Sequence, residues 1–233
     1  MRSYSSLLSH VLGSHPDIDG YCETHLRYRF AFDVMRLQWR VQTLTGEPLS
    51  GRFVLDKILH NYTMSRSILA NPNTRAVFLL RQPVEVLQSI MHMGTHLDPR
   101  ARNTNVEKVT GYYEARVQRL TLLARQLGER AAFLESEALL ERTDATLEFL
   151  RDYLELSSPL DRHYRSFAKT GAPGFGDPSP NIHTGEIGAQ TRKRAPFPIP
   201  ATLAARVKAA HAACLDACTR YCVPLPETSA AGC

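Results

Sequence analysis

Residues 76–89 read A-V-F-L-L-R-Q-P-V-E-V-L-Q-S. The first five are apolar throughout, as a parallel strand covered on both faces is. Pro83 then sits where a helix accepts it, in the first turn. The stretch is therefore a buried strand followed at once by a helix, the unit from which α/β folds are built. Arg81, directly after the strand, stands at the carboxyl edge of a sheet, where such folds bind ligands. Ser89 follows two helical turns later. Together they can hold a phosphate, although an arginine after a strand also serves as an ordinary surface ion pair.

Working outward, the same alternation continues. Short strands are expected at 52–56 and 131–134. Helices are expected at 7–12, 24–43, 61–69, 83–93, 106–128, 137–141, 144–153 and 202–221, with a turn at 46–51. Residues 169–200 are rich in glycine, proline and polar side chains and read as one long irregular segment, a length that compact domains keep for function or leave disordered. The tail from 223 reads as loose. Strands alternating with helices imply a three-layer α/β/α fold with a mainly parallel sheet in one domain, residues 1–222. The length of 233 residues suits a single domain, and 43% hydrophobic against 22% charged residues supplies an ordinary core.

The net charge of +5 and pI near 9.0 favour an anionic ligand. The basic residues are spread out apart from Arg192-Lys193-Arg194, so nucleic acid is not indicated. No apolar run is long enough to span a membrane, and no export signal is legible, which points to the cytoplasm. The five cysteines are Cys22, Cys214, Cys218, Cys222 and Cys233. An odd count argues against a disulfide framework. Cys214, Cys218 and Cys222 share one helical face, as a small-residue core stripe or as a metal site.

Residues 2–8, R-S-Y-S-S-L-L, place short hydroxyl side chains just ahead of an apolar helix. A helix N-terminus exposes unpaired N–H groups and a partial positive charge, which suit phosphate. The same pattern also fits a plain serine cap.

Hydroxyl-rich loop, His15-Pro16, Glu23, Asp56-Lys57, then Arg81 with Ser89: in this order the residues resemble the sulfotransferases that use 3′-phosphoadenosine 5′-phosphosulfate (PAPS). R-S-Y-S-S-L-L-S-H-V-L-G-S-H-P looks like their 5′-phosphosulfate loop and its helix, and R-Q-P-V-E-V-L-Q-S like their 3′-phosphate motif. F-L-E-S-E-A-L-L and the late G-F-G-D-P-S and G-E-I segments resemble, respectively, a tyrosine-glutamate-aspartate-leucine segment and a nucleotide-covering loop. The resemblance implies a P-loop-kinase-like sheet and transfer of a sulfuryl group from PAPS to a hydroxyl, with no metal. It implies that Arg2, Ser3, Tyr4, Ser5, Ser6 and Leu7 wrap the 5′-phosphosulfate. Arg81 and Ser89 would take the 3′-phosphate, with Arg192 or Arg194 closing over it near Ser179. Glu23 would be the general base, with His25 as its rival, and Lys57 would stabilise the leaving phosphate's bridging oxygen. Read without the resemblance, Glu23 is a helix N-terminal glutamate and Lys57 a surface lysine.

Three departures stand out. Met1 directly precedes Arg2, so the resemblance implies a sheet short of its first strand. Tyr4 replaces a glycine, and fits only with helical backbone and its ring turned away. Ser136 replaces a tyrosine, and Trp39 is assigned to the core rather than to adenine stacking. The alternative readings are a truncated, non-catalytic nucleotide-binding protein of the same fold and another P-loop transferase such as a nucleotide kinase. The absence of G-x-x-x-x-G-K-[ST] weighs against the kinase. The acceptor, whether carbohydrate, lipid, tyrosyl peptide or small phenol, is not legible.

Overall fold

The structure, a computed structural model, describes residues 3–58, 64–96, 105–172, 174–177, 180–188 and 196–227. Its elements are α1 (Ser5–Gly13), β1 (Ile18–Asp19), α2 (Asp33–Thr45), β2 (Phe53–Val54), α3 (Arg66–Ala70), β3 (Ala76–Leu80), α4 (Pro83–His96), α5 (Val106–Leu127), β4 (Ala131–Glu135), α6 (Ala138–Glu141), α7 (Thr143–Leu154), α8 (Ala201–Tyr221) and β5 (Val223–Pro224). The fold is mixed α/β, and the described residues form two small sheets whose strand pairs are parallel. One sheet is β1–β2, and the other is β3–β4–β5.

The single sheet expected from the strand pattern is thus divided. β1 ends at Gly20, whose backbone turns through φ 101°, with Leu55 O and the Val41 side chain where a Cβ would stand. β2 keeps only two residues in register, although Leu55 N still donates to Asp19 O at 2.8 Å. Helix α1 bridges the two sheets. Its Leu8, Val11 and Leu12 share one apolar cluster with Ile18, Phe53 and Leu55 of the first and with Val77, Leu79 and Leu134 of the second. On the other side of β3–β4, helices α4, α5 and α8 form the larger core. Cys214, Cys218 and Cys222 are buried there, as a core stripe requires.

The helix expected over 24–43 begins only at Asp33. Two carboxylates hold the preceding stretch open. Asp56 accepts from Thr24 N at 2.9 Å, Thr24 Oγ1 at 2.7 Å and the Tyr28 hydroxyl. Asp33 accepts from Arg29 N at 2.6 Å and Phe30 N at 2.8 Å. Those N–H groups are satisfied by side chains instead of by helical carbonyls. Trp39 is not in the core. It is 67% exposed, because Leu37, Val41 and Leu44 form the inward stripe of α2 and Trp39 falls on the opposite one. The stretch assigned to a loose tail begins with β5, where Ala132 faces Val223, Phe133 faces Pro224 and Leu225 N donates to Phe133 O at 2.9 Å. The expected helix over 61–69 is described only from residue 64, and its helical part is α3.

Candidate active site at the first turn of α1

The first turn of α1 begins unusually. Tyr4, its N-cap, has left-handed backbone (φ 55°, ψ 16°) and contributes no side-chain cap. The N–H groups of the first turn therefore lack the hydroxyl cap that the serines suggested. The departure at Tyr4 is accommodated differently from the expected way. Its backbone is left-handed, a region that favours glycine, and its ring lies against the Arg81 guanidinium at 4.7 Å from the ring centroid. Burial raises the Tyr4 pKa, partly offset by the Arg81 charge, so the phenol stays neutral.

One residue on, Ser6 meets the two residues assigned to chemistry. Lys57 Nζ donates to Ser6 Oγ at 2.8 Å and pairs with Glu23 Oε1 at 2.9 Å. The side chains of Lys57 and Glu23 are only 8% and 10% exposed. The sheet places them together: Lys57 N approaches Cys22 O as the chain leaves β2 alongside the chain leaving β1. Asp56 braces the pair through Thr24 and Tyr28. Burial, and after it the Asp56 charge, push the Tyr28 pKa up, so its hydroxyl remains the donor. The neighbouring Cys22 thiol is raised to about 11 by burial, which leaves no thiolate to act as a nucleophile near neutral pH.

A fourth stretch closes over the cluster. Asp177 N donates to Ser6 Oγ at 2.9 Å. A side chain at Gly176 would put its Cβ 3.0 Å from Ser6 Oγ and 3.3 Å from Lys57 Nζ, at φ 140°. Only glycine passes this close at that conformation. His25, considered as a rival base, is exposed and donates from Nε2 to Gly174 O. It holds the covering segment rather than facing the cluster.

The sequence pattern did not single out His10, which ties α1 to the start of the long irregular segment. Its Nδ1 lies 2.8 Å from Ser6 O and its Nε2 2.9 Å from Thr170 Oγ1. The carbonyl must accept, so Nδ1 carries the proton and Nε2 accepts from Thr170. Tyr21, Tyr164 and Phe167 pack edge-on around the ring. Burial lowers its pKa, with Lys57 and His183 adding repulsion. A histidine within an apolar helix has no signal of its own in the sequence.

Arg81 stands at the end of β3, as expected. Its guanidinium meets Glu85 Oε2 at 2.7 Å and Glu137 Oε1 at 3.5 Å. Ser89 lies partly buried two turns along α4. Its neighbour Gln88 exchanges two hydrogen bonds with the Phe197 backbone, at 2.8 Å and 2.6 Å. Ser136, in place of a tyrosine, is buried and donates from its backbone N–H to Leu80 O at 2.9 Å. Arg2, Ser179, Arg192 and Arg194 lie outside the described residues. Ser3 is buried at the loop, and Ser5 and Leu7 are partly buried in α1.

Ser6, Glu23, Lys57 and the backbone of 176–177 therefore converge. Tyr4, on the same turn as Ser6, reaches Arg81. Chemically the cluster offers an ammonium, a carboxylate, a hydroxyl and uncapped helix N–H groups, which together can grip an anion and receive a proton. No family model matches the chain, and neither a curated protein nor a solved structure is significantly similar to it.

Proposed function

We propose that the chain is a PAPS-dependent sulfotransferase of three-layer α/β/α design, acting on a hydroxyl acceptor. The observation that carries this reading is the meeting of Ser6, Glu23 and Lys57 in one buried cluster at an uncapped helix N-terminus. The resemblance gives Ser6, Glu23 and Lys57 separate parts in one and the same reaction. The donor set suits the co-substrate. The free N–H groups of α1 and the hydroxyl of Ser6 suit a 5′-phosphosulfate, while Arg81 and Ser89 offer donors for a 3′-phosphate.

In this reading Glu23 takes the proton of the acceptor hydroxyl as that oxygen bonds to sulfur. The bond from sulfur to the bridging phosphate oxygen breaks, and its electron pair stays on that oxygen. Lys57 donates to the oxygen as its charge grows. Proton removal by Glu23 needs its carboxylate released from Lys57, so Lys57 moves from Glu23 to the bridging oxygen as the nucleotide binds. The resemblance would give Arg192 the remaining role, closing over the 3′-phosphate.

Calorimetry with 3′,5′-bisphosphoadenosine against 5′-AMP tests the two-phosphate claim. The bisphosphate is expected to bind at least tenfold tighter, and equal affinities would remove the role of Arg81 and Ser89. Glu23→Gln is expected to abolish sulfuryl transfer while leaving bisphosphate binding intact.

One observation favours a second reading, a non-catalytic nucleotide-binding protein of the same fold. Glu23 and Lys57 are already paired with each other at 2.9 Å with both side chains nearly buried, so the carboxylate that would take the proton and the ammonium that would meet the leaving oxygen are both engaged. Bisphosphate binding with no transfer to any hydroxyl acceptor would select that reading.

A further inference from the structure

Helix α2 carries two apolar stripes, and only one is covered. Leu37, Val41 and Leu44 point inward. On the opposite side Phe32, Met35 and Trp39 recur at helical spacing and are 56%, 71% and 67% exposed, with Phe30 at 57% stacked on Phe32 at 5.3 Å. Four large apolar side chains within ten residues each show more than half their surface, and protein surfaces seldom carry such a group without a use. Arginines flank it along the chain: Arg27, Arg29 and Arg36 are exposed and Arg40 is partly so. The acidic residue within this stretch, Asp33, is buried and committed to the Arg29 and Phe30 N–H groups and to Arg36.

We infer that the ridge Phe30–Phe32–Met35–Trp39, with Arg27, Arg29, Arg36 and Arg40, docks the protein on an anionic lipid surface. Charge complementarity selects the occupant. A second copy packed about a two-fold axis would set these arginines against themselves. A protein partner would need a surface at once apolar and acidic to match it. A bilayer interface takes an exposed aromatic ridge without a preformed cavity, seats tryptophan at headgroup level, and offers phosphates to the arginines. The inference does not depend on the sulfotransferase reading. It concerns attachment at a surface, since no helix among the described residues is long and apolar enough to cross a membrane.

Trp39 is the sole tryptophan of the chain, so its fluorescence reports on this ridge alone. The full chain is titrated with vesicles of phosphatidylcholine and with vesicles in which one lipid in three is phosphatidylglycerol. The expected result is a blue-shifted, brighter emission and co-sedimentation with the anionic vesicles only, weakened by added salt. The double variant Phe32→Ser/Met35→Ser keeps the reporter and is expected to lose the shift. Arg27→Glu/Arg29→Glu is expected to lose binding while leaving the free emission unchanged. No shift on anionic vesicles overturns the inference, as does an equal shift on neutral ones. A shift that grows with protein concentration without lipid assigns the ridge to self-association instead, and an equal shift on polyglutamate assigns it to an acidic protein partner.

Discussion

Tyr4 holds its backbone at φ 55° with Arg81 stacked against its ring, and the two facts oppose each other. A non-glycine residue in the left-handed region costs about 1–2 kcal/mol, while a partly buried cation–π contact returns roughly 1 kcal/mol or more. Tyr4→Gly removes both and leaves stability within about 1 kcal/mol of the parent. On the proposed reading it also takes the ring off the guanidinium, so bisphosphate affinity measured by calorimetry is expected to rise by up to about tenfold. The Glu23–Lys57 pair behaves differently because it is buried. Lys57→Met leaves the Glu23 carboxylate without its partner, and a loss of about 3 kcal/mol in urea unfolding is expected. Glu23→Gln costs less, because the amide oxygen still accepts from Lys57. The structure brings Ser6 and Glu23 within hydrogen-bond reach of Lys57, and that the three belong together was legible through the resemblance. Tyr4's strain and the place of His10 were not, since neither a backbone angle nor a long-range partner such as Thr170 leaves a local signature.

At the scale of elements, the strand–helix unit of β3 and α4 was readable residue by residue, because a continuous apolar run followed by a proline has few other interpretations. Helices α5, α7 and α8 follow their periodicity to within one or two residues. The start of α2 was not legible, and the reason is tertiary. Asp56 and Asp33 take N–H and O–H groups that a helix over 24–32 would have needed. Asp33→Ala removes the acceptor from the Arg29 and Phe30 N–H groups. Faster amide exchange at those two positions and fraying of the first turn of α2 are the expected outcomes, with Asp33→Asn intermediate. The covering segment gives a second test. Gly176→Ala places a methyl against Ser6 Oγ and Lys57 Nζ at a backbone angle that favours glycine. On the proposed reading it lowers nucleotide affinity measured by calorimetry, and because residues 174–177 reach the core only through half-buried Phe175 the unfolding midpoint is expected to fall by less than for Lys57→Met.

For the whole molecule, two buried histidines set the response to mild acid. Burial lowers the pKa of His10 and of His211 below 6.5. The unfolded chain therefore binds protons there that the folded chain does not. Stability is full above about pH 6.5 and falls as pH drops below it, until the folded pKa is reached, with a slope of at most about 1.4 kcal/mol per pH unit for each histidine. Asp17, Asp33, Asp144 and Asp161, lowered mainly by hydrogen bonds, act further down, below their ordinary 3.8. Urea midpoints between pH 7 and pH 5 are expected to fall, and His10→Asn is expected to flatten the slope. A further consequence attaches to β5. The strand that completes the second sheet joins β4 only through residues 223–225, far along the chain from 131–135. During synthesis the outer edge of β4 stays open until residue 225 has cleared the ribosome. Until then the nascent chain presents a bare parallel edge, ready to pair with a neighbour on the same messenger.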